Sequence, residues 1–153
     1  MSGPSPDTQE ARAPIESKAQ LIGALSRGTK PKADWRIGTE HEKFPFLTDT
    51  LKPVPYDGPR SIRALLEGLR DRFGWQGVYE NDKIIALSDP KGMGNVSLEP
   101  GGQFELSGAP LQSVHDTCEE VNEHLVQVRE IGDALGIGFL GLGASPTWTR
   151  AET

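Results

Sequence analysis

The chain has 153 residues, 35% of them hydrophobic, with Gly 18 and Pro 12, enough for one domain with a modest core and many loops. Sixteen basic against 22 acidic side chains leave a net charge of -6, and without a dense Lys/Arg cluster no nucleic-acid partner is expected. The single cysteine, Cys118, excludes an internal disulfide framework and a Cys-rich zinc site. No apolar window approaches a membrane span, so a soluble, cytoplasmic protein is expected.

Residues 1–14 are rich in Ser, Pro, Gly and charge and read as a flexible tail preceding one unit over 15–153. Ala19, Ile22 and Leu25 then form a short helical stripe, with Ser17 as N-cap and Gly28 just beyond the end. The run from Trp35 to Phe44 has no helical stripe, and Pro45 would break a helix in any case, so it reads as a strand. After a Pro/Gly-rich loop over Asp49–Pro59, Ile62, Leu65, Leu66, Leu69 and Phe73 recur at helical spacing up to Gly74.

Val78–Glu80 and Ile84–Leu87 around the polar Asn81-Asp82-Lys83 read as a hairpin. The longest helix is expected from Leu111 to about Leu135. Its stripe of Leu111, Val114, Cys118, Val121, Leu125, Val128 and Leu135 would bury Cys118 and leave His115 and His124 on a solvated or flanking face. Gly136–Gly143 reads as a strand. Its match to the dinucleotide fingerprint is rejected, because it follows a helix and no amphipathic helix follows it. Trp35 and Trp75 read as core or domain-interface packing.

Two strands concentrate carboxylates. Glu40 and Glu42 lie two apart, so on a strand they share a face, roughly 6 to 7 Å apart, while His41 points away. The second segment, Val96 to Leu106, is two alternating runs about Pro100-Gly101-Gly102. A two-residue loop would mix polar and apolar residues on both faces. A three-residue loop pairs Glu99 with Gln103 and Ser97 with Glu105, leaving Leu98 and Phe104 on the opposite face, and the alternation favours this register. Four carboxylates gathered this way repel one another, and a hard cation such as Mg²⁺ would relieve the repulsion. A solvated face of an antiparallel sheet accounts for the same alternation, so the pattern alone leaves both readings open.

Trp35-Arg36-Ile37-Gly38-Thr39-Glu40-His41-Glu42-Lys43-Phe44, together with Ser97-Leu98-Glu99-Pro100-Gly101-Gly102-Gln103-Phe104-Glu105-Leu106-Ser107-Gly108-Ala109-Pro110, closely resembles the plant and alphaproteobacterial type of glutamate–cysteine ligase. The likeness continues through Glu119–Leu125 and Gly136–Gly141. It implies an α+β fold, an antiparallel sheet flanked by helices, forming part of a glutamine synthetase-like ligase catalytic domain. It also implies a reaction: ATP activates L-glutamate as γ-glutamyl phosphate, and L-cysteine displaces phosphate to give γ-glutamylcysteine, the first step of glutathione synthesis.

By this resemblance Glu40, Glu42, Glu99 and Glu105 are magnesium ligands and Gln103 binds substrate. Pro45 stands where the family has glycine, which puts strand pairing there in question. The family extends well past Thr153, which implies an N-terminal fragment inactive by itself. A carboxylate–amine ligase using another amine acceptor, or a truncated non-catalytic binding module, are the competing readings.

Overall fold

A computed structural model describes residues 14–91 and 93–148, so most of the predicted N-terminal tail, residues 1–13, lies outside the described residues. The chain divides into two compact units, with the division between Trp35 and Arg36.

In the first unit α1 spans Lys18–Ser26, and Ser17 caps it as expected: its hydroxyl accepts from Gln20 N while the Gln20 side chain accepts from the Ser17 N–H. This reciprocal pair satisfies two donors that a helix start leaves open. The stripe stays uncovered, with no residue of α1 buried. A 3-10 turn over Lys32–Asp34 follows, and Trp35 Nε1 donates to Lys30 O at 3.0 Å. Trp35 itself is 63% exposed and so is not a core residue.

The second unit is α+β. Its strands are β1 (Glu40–Leu47), β2 (Gln76–Glu80), β3 (Lys83–Ser88), β4 (Asn95–Glu99), β5 (Gln103–Ser107) and β6 (Ile137–Leu140). They form an antiparallel sheet in the order β2-β3-β4-β5-β1-β6. Helices α2 (Ile62–Phe73) and α3 (Val114–Leu135) cover one side. The core between layers is Leu65, Leu66 and Leu69 from α2, Val128 from α3, and Ile84, Leu87, Val96, Phe104, Leu106 and Ile137 from the sheet.

Ser61 and Ser113 cap the two helix starts, and Gly74 and Gly136 end them in the left-handed conformation. The hairpin turn is the pair Asn81 and Asp82, both at positive φ, as a two-residue turn between right-twisted strands requires.

β1 begins five residues later than the sequence suggests and runs through Pro45. It changes partners along its length: Glu40–Lys43 pair with β5, Phe44–Leu47 with β6. Pro45 is tolerated because of this switch. Thr48 N donates to Gly136 O, so in the same register Phe44 and Phe46 hold the hydrogen-bonded positions toward β6 and Pro45 faces the other way. On that other side the β5 ladder has already ended at Lys43. The N–H that proline lacks is thus not needed, and the strand pairing put in question at Pro45 is kept.

α3 departs from its predicted stripe in two ways. It starts at Val114, while Leu111 instead bridges Ile37. Cys118 and Val114 are exposed, and the buried positions are His124, Val128 and Gly132, while Val121, Leu125 and Leu135 of the expected stripe do pack against the core. Gly132 is demanded by proximity: a Cβ there would lie 2.7 Å from Ile137 O and 2.8 Å from the Phe139 ring.

Candidate metal and substrate face

The register expected for the second hairpin is the one found. Glu99 pairs with Gln103, Leu98 with Phe104 and Ser97 with Glu105 across a three-residue loop. Gly101 and Gly102 adopt φ of 82° and 75°, a conformation that side chains with a Cβ rarely enter, which is why the loop needs this pair.

On the far side of β5, Glu42 stands opposite Glu105 and Glu40 opposite Ser107. Alternation then sets one row Ser97–Glu105–Glu42 across three strands, with Glu99 and Gln103 on one side of it and Ser107 and Glu40 on the other. Neighbouring strands are about 4.8 Å apart, so all the predicted residues share one face of the sheet, the face that α2 and α3 leave uncovered.

Their environments differ. Glu40, Glu42 and Glu99 are exposed, Gln103 is half-buried, and Glu105 is buried at 5% exposure. The Ser107 hydroxyl donates to Glu105 Oε1 at 2.9 Å. The Glu99 carboxyl is pushed above its ordinary value, chiefly because it shares a hydrogen bond with Glu105, then by the Glu105 charge, by desolvation, and by the charges of Glu42 and Glu40. Glu99 therefore responds to all three other carboxylates. Among the described residues no group of three or more His, Cys, Asp or Glu stands preassembled as a metal cage. What the face offers is a set of carboxylate oxygens under mutual repulsion, the donor chemistry of a hard divalent cation that keeps its waters and takes remaining ligands from phosphates.

The same face continues into apolar ground. Phe44 and Phe46, next in the alternation after Glu42, line a cavity of about 220 Å³ with Leu140, Pro146 and Trp148. The Trp148 ring meets Phe44 edge-on at 6.4 Å. A larger cavity of about 390 Å³, lined by Trp75, Leu106, Glu120, His124 and Gln127, opens on the helix-covered side and is separate from the carboxylates.

Behind the acidic face lies an arrangement that the sequence reading missed. Lys43, 1% exposed, points into the helix-covered side, where its ammonium donates to His41 O at 3.0 Å and Phe104 O at 3.1 Å and lies 2.9 Å from His124 Nε2. Since an ammonium only donates, Nε2 is the acceptor and the ring proton is assigned to Nδ1.

Burial lowers Lys43 to about 8, against the attraction of Glu105. Burial first, then the Lys43 and His41 charges, lower His124 to about 3. His124 is therefore a neutral core residue at 2% exposure, not the flanking one expected, and it stacks on Phe104 with centroids 6.5 Å apart. The available signal was the alternation of β1: once Glu40 and Glu42 face the open side, Lys43 is forced beneath the helices and needs buried acceptors.

Residues 36–153 match the family model for glutamate-cysteine ligase family 2 (GCS2). The chain is 51% identical over 150 residues to glutamate–cysteine ligase A, chloroplastic, of Oryza sativa subsp. japonica, covering 97% of this chain and 30% of that protein. It is 53% identical over 146 residues to the chloroplastic glutamate–cysteine ligase of Solanum lycopersicum, covering 94% and 27%. With that of Arabidopsis thaliana it shares 51% over 150 residues, covering 97% and 28%. The chain thus spans about 30% of the length of the curated relatives it matches. These relatives are named chloroplastic, which overturns the expectation of a cytoplasmic protein. Among the described residues no helix is long and apolar enough to cross a membrane.

Proposed function

The chain belongs to glutamate–cysteine ligase family 2, and from that membership we propose that it supplies part of the catalytic domain of an ATP-dependent ligase joining L-glutamate to L-cysteine. ATP phosphorylates the γ-carboxylate of glutamate, the amine of cysteine attacks the resulting acyl phosphate, and the C–O bond breaks as phosphate leaves, giving γ-glutamylcysteine. The amine loses its proton to solvent or a base in this displacement.

Glu40, Glu42, Glu99 and Glu105 are the proposed Mg²⁺ ligands, and the Gln103 amide, half-buried on the same face, is a proposed substrate contact. The observation that carries this reading is the strand register that sets Glu42 opposite Glu105, with Glu40 and Glu99 beside them on one open face; the Glu99 carboxyl, raised chiefly by Glu105, is in keeping with that crowding. The fit is one of donor chemistry and charge, since Mg²⁺ needs only one or two protein carboxylates when phosphates and waters complete its shell. Bound there, it would neutralise charge developing on the transferred phosphoryl group.

The chain's own contribution is orientation. Glu105, buried and held by Ser107, is a fixed donor, while exposed Glu40, Glu42 and Glu99 can adjust toward a ligand. The apolar wall of Phe44, Phe46 and Trp148 limits water on one flank of the face.

The test is Glu42→Gln in the protein expressed from its full reading frame, assayed by phosphate release from ATP with magnesium, glutamate and cysteine. Loss of turnover by about two orders of magnitude or more is expected for a group that positions charge at the reacting phosphate. Unchanged turnover removes Glu42 from the site.

A further inference from the structure

A lysine at 1% exposure is an unusual way to fill a core, because a hydrophobic side chain of similar size avoids the desolvation cost of an ammonium and is often as stable or more so. Lys43 lies in the layer where Phe104, Leu106 and Val128 build the core. What distinguishes it is where its three protons go.

His41 O belongs to the peptide unit whose N–H is that of Glu42, and Phe104 O to the peptide unit whose N–H is that of Glu105; Lys43 Nζ donates to both, at 3.0 and 3.1 Å. Glu42 and Glu105 are cross-strand partners. Peptide units are planar and rigid, so fixing each carbonyl from below restricts the tilt of the Cα that follows it, and with it the direction of the carboxylate above. The third proton meets His124 Nε2 at 2.9 Å, which ties the clamp to α3. Because His124 is neutral and pressed against Phe104, it accepts without adding a second charge.

We infer that Lys43 is a positioning residue for the carboxylate face, clamping the peptide units that carry Glu42 and Glu105 from the opposite side of the sheet, with His124 as its anchor on α3. The inference rests on the metal-site reading of Glu42 and Glu105. It assigns Lys43 no contact with substrate. Its action passes through the backbone, as outer partners of ligand residues elsewhere act through the ligands they orient.

The experiment uses the protein expressed from its full reading frame, with Mn²⁺ as the probe ion, its binding followed by electron paramagnetic resonance in the presence of ATP, and with the thermal midpoint recorded for every variant. Lys43→Met is expected to weaken Mn²⁺ binding about 10- to 100-fold while the thermal midpoint holds or rises, a combination that a purely structural lysine would not give. His124→Leu is expected to weaken Mn²⁺ binding in the same direction, and His124→Gln, whose amide oxygen can accept from the ammonium, to recover most of the loss.

Wild-type Mn²⁺ affinity in Lys43→Met overturns the proposal, and so does a loss of affinity that only follows a fall in the thermal midpoint. If Lys43→Met fails to fold, the two His124 variants decide. Equal affinity in His124→Leu and His124→Gln then rejects the clamp. Glu42→Gln separates the levels: if it leaves Mn²⁺ binding intact, the metal site and the clamp fail together, whereas loss in Glu42→Gln beside wild-type affinity in Lys43→Met rejects the clamp alone.

Discussion

Lowering the pH should destabilise the fold through His124, and the slope can be worked from its surroundings. The ring is buried, its Nε2 is committed to the Lys43 ammonium, and its folded value of about 3 lies well below the ordinary 6.5. In the unfolded chain the same ring takes a proton as pH falls through 6.5, but in the folded chain it stays neutral until about 3. The unfolded state then binds more protons, so stability falls as pH falls across that window and is unaffected by this group above it.

Each pH unit is worth about 1.4 kcal/mol, which makes the loss between pH 6.5 and 4.5 about 2 to 3 kcal/mol from this one group, a large share of a typical total of roughly 5 to 15 kcal/mol. Lys43, with a folded value of about 8, stays charged throughout. Urea unfolding at stepped pH, for the wild-type chain and for His124→Gln, isolates the effect. Carboxylates titrate in both proteins and drop out of the difference, which should shift in favour of the variant by about 2 to 3 kcal/mol from pH 7 to 4.5. Parallel stability curves would refute the buried neutral histidine.

Two further outcomes follow from the same geometry. Replacing Glu105 with Gln removes the charge and the carboxyl–carboxyl hydrogen bond that raise Glu99, so the Glu99 carboxyl should titrate lower when followed by carbon-13 NMR; an unmoved titration would mean that the two side chains do not meet. Cys118 is exposed on α3, so its thiol should react with an aromatic disulfide reagent in the folded chain nearly as fast as in urea, and protection would contradict the orientation of the first turns of α3.

How much was legible in the sequence depended on how local the deciding forces are. The hairpin from Asn95 to Ser107 could be registered by hand because alternation and the Gly101-Gly102 turn agree on one answer. The cap at Ser17 is likewise a local hydrogen bond. β1 was misjudged at both ends because its pairing partners, β5 and β6, lie far along the chain, and only their combined register shows that Pro45 needs no donor.

α3 was misjudged for a related reason. Hydrophobicity favoured Cys118 over His124, yet Val121 is the first residue of α3 to pack on the core, and further along the helix what selects the inward residue is a lysine on β1 at His124 and a close approach to Ile137 and Phe139 at Gly132. The carboxylate face was visible as a pattern. The cationic clamp beneath it was not, because no short-range rule pairs Lys43 with a residue 81 positions away.

The partner switch in β1 also sets the order in which the molecule can be made. Glu40 and Glu42 are synthesised before their partners, for β5 ends at Ser107 and β6 at Leu140, so the strand waits about a hundred residues, roughly 5 to 20 seconds of synthesis, before both its edges are covered. During that interval it is an open strand carrying Phe44 and Phe46, the kind of segment that joins a neighbouring chain. Glu40, Glu42 and Lys43 supply charge, and Pro45 interrupts the donors on the edge that faces away from β6. Residues that later serve the completed sheet thereby act first as guards against premature pairing.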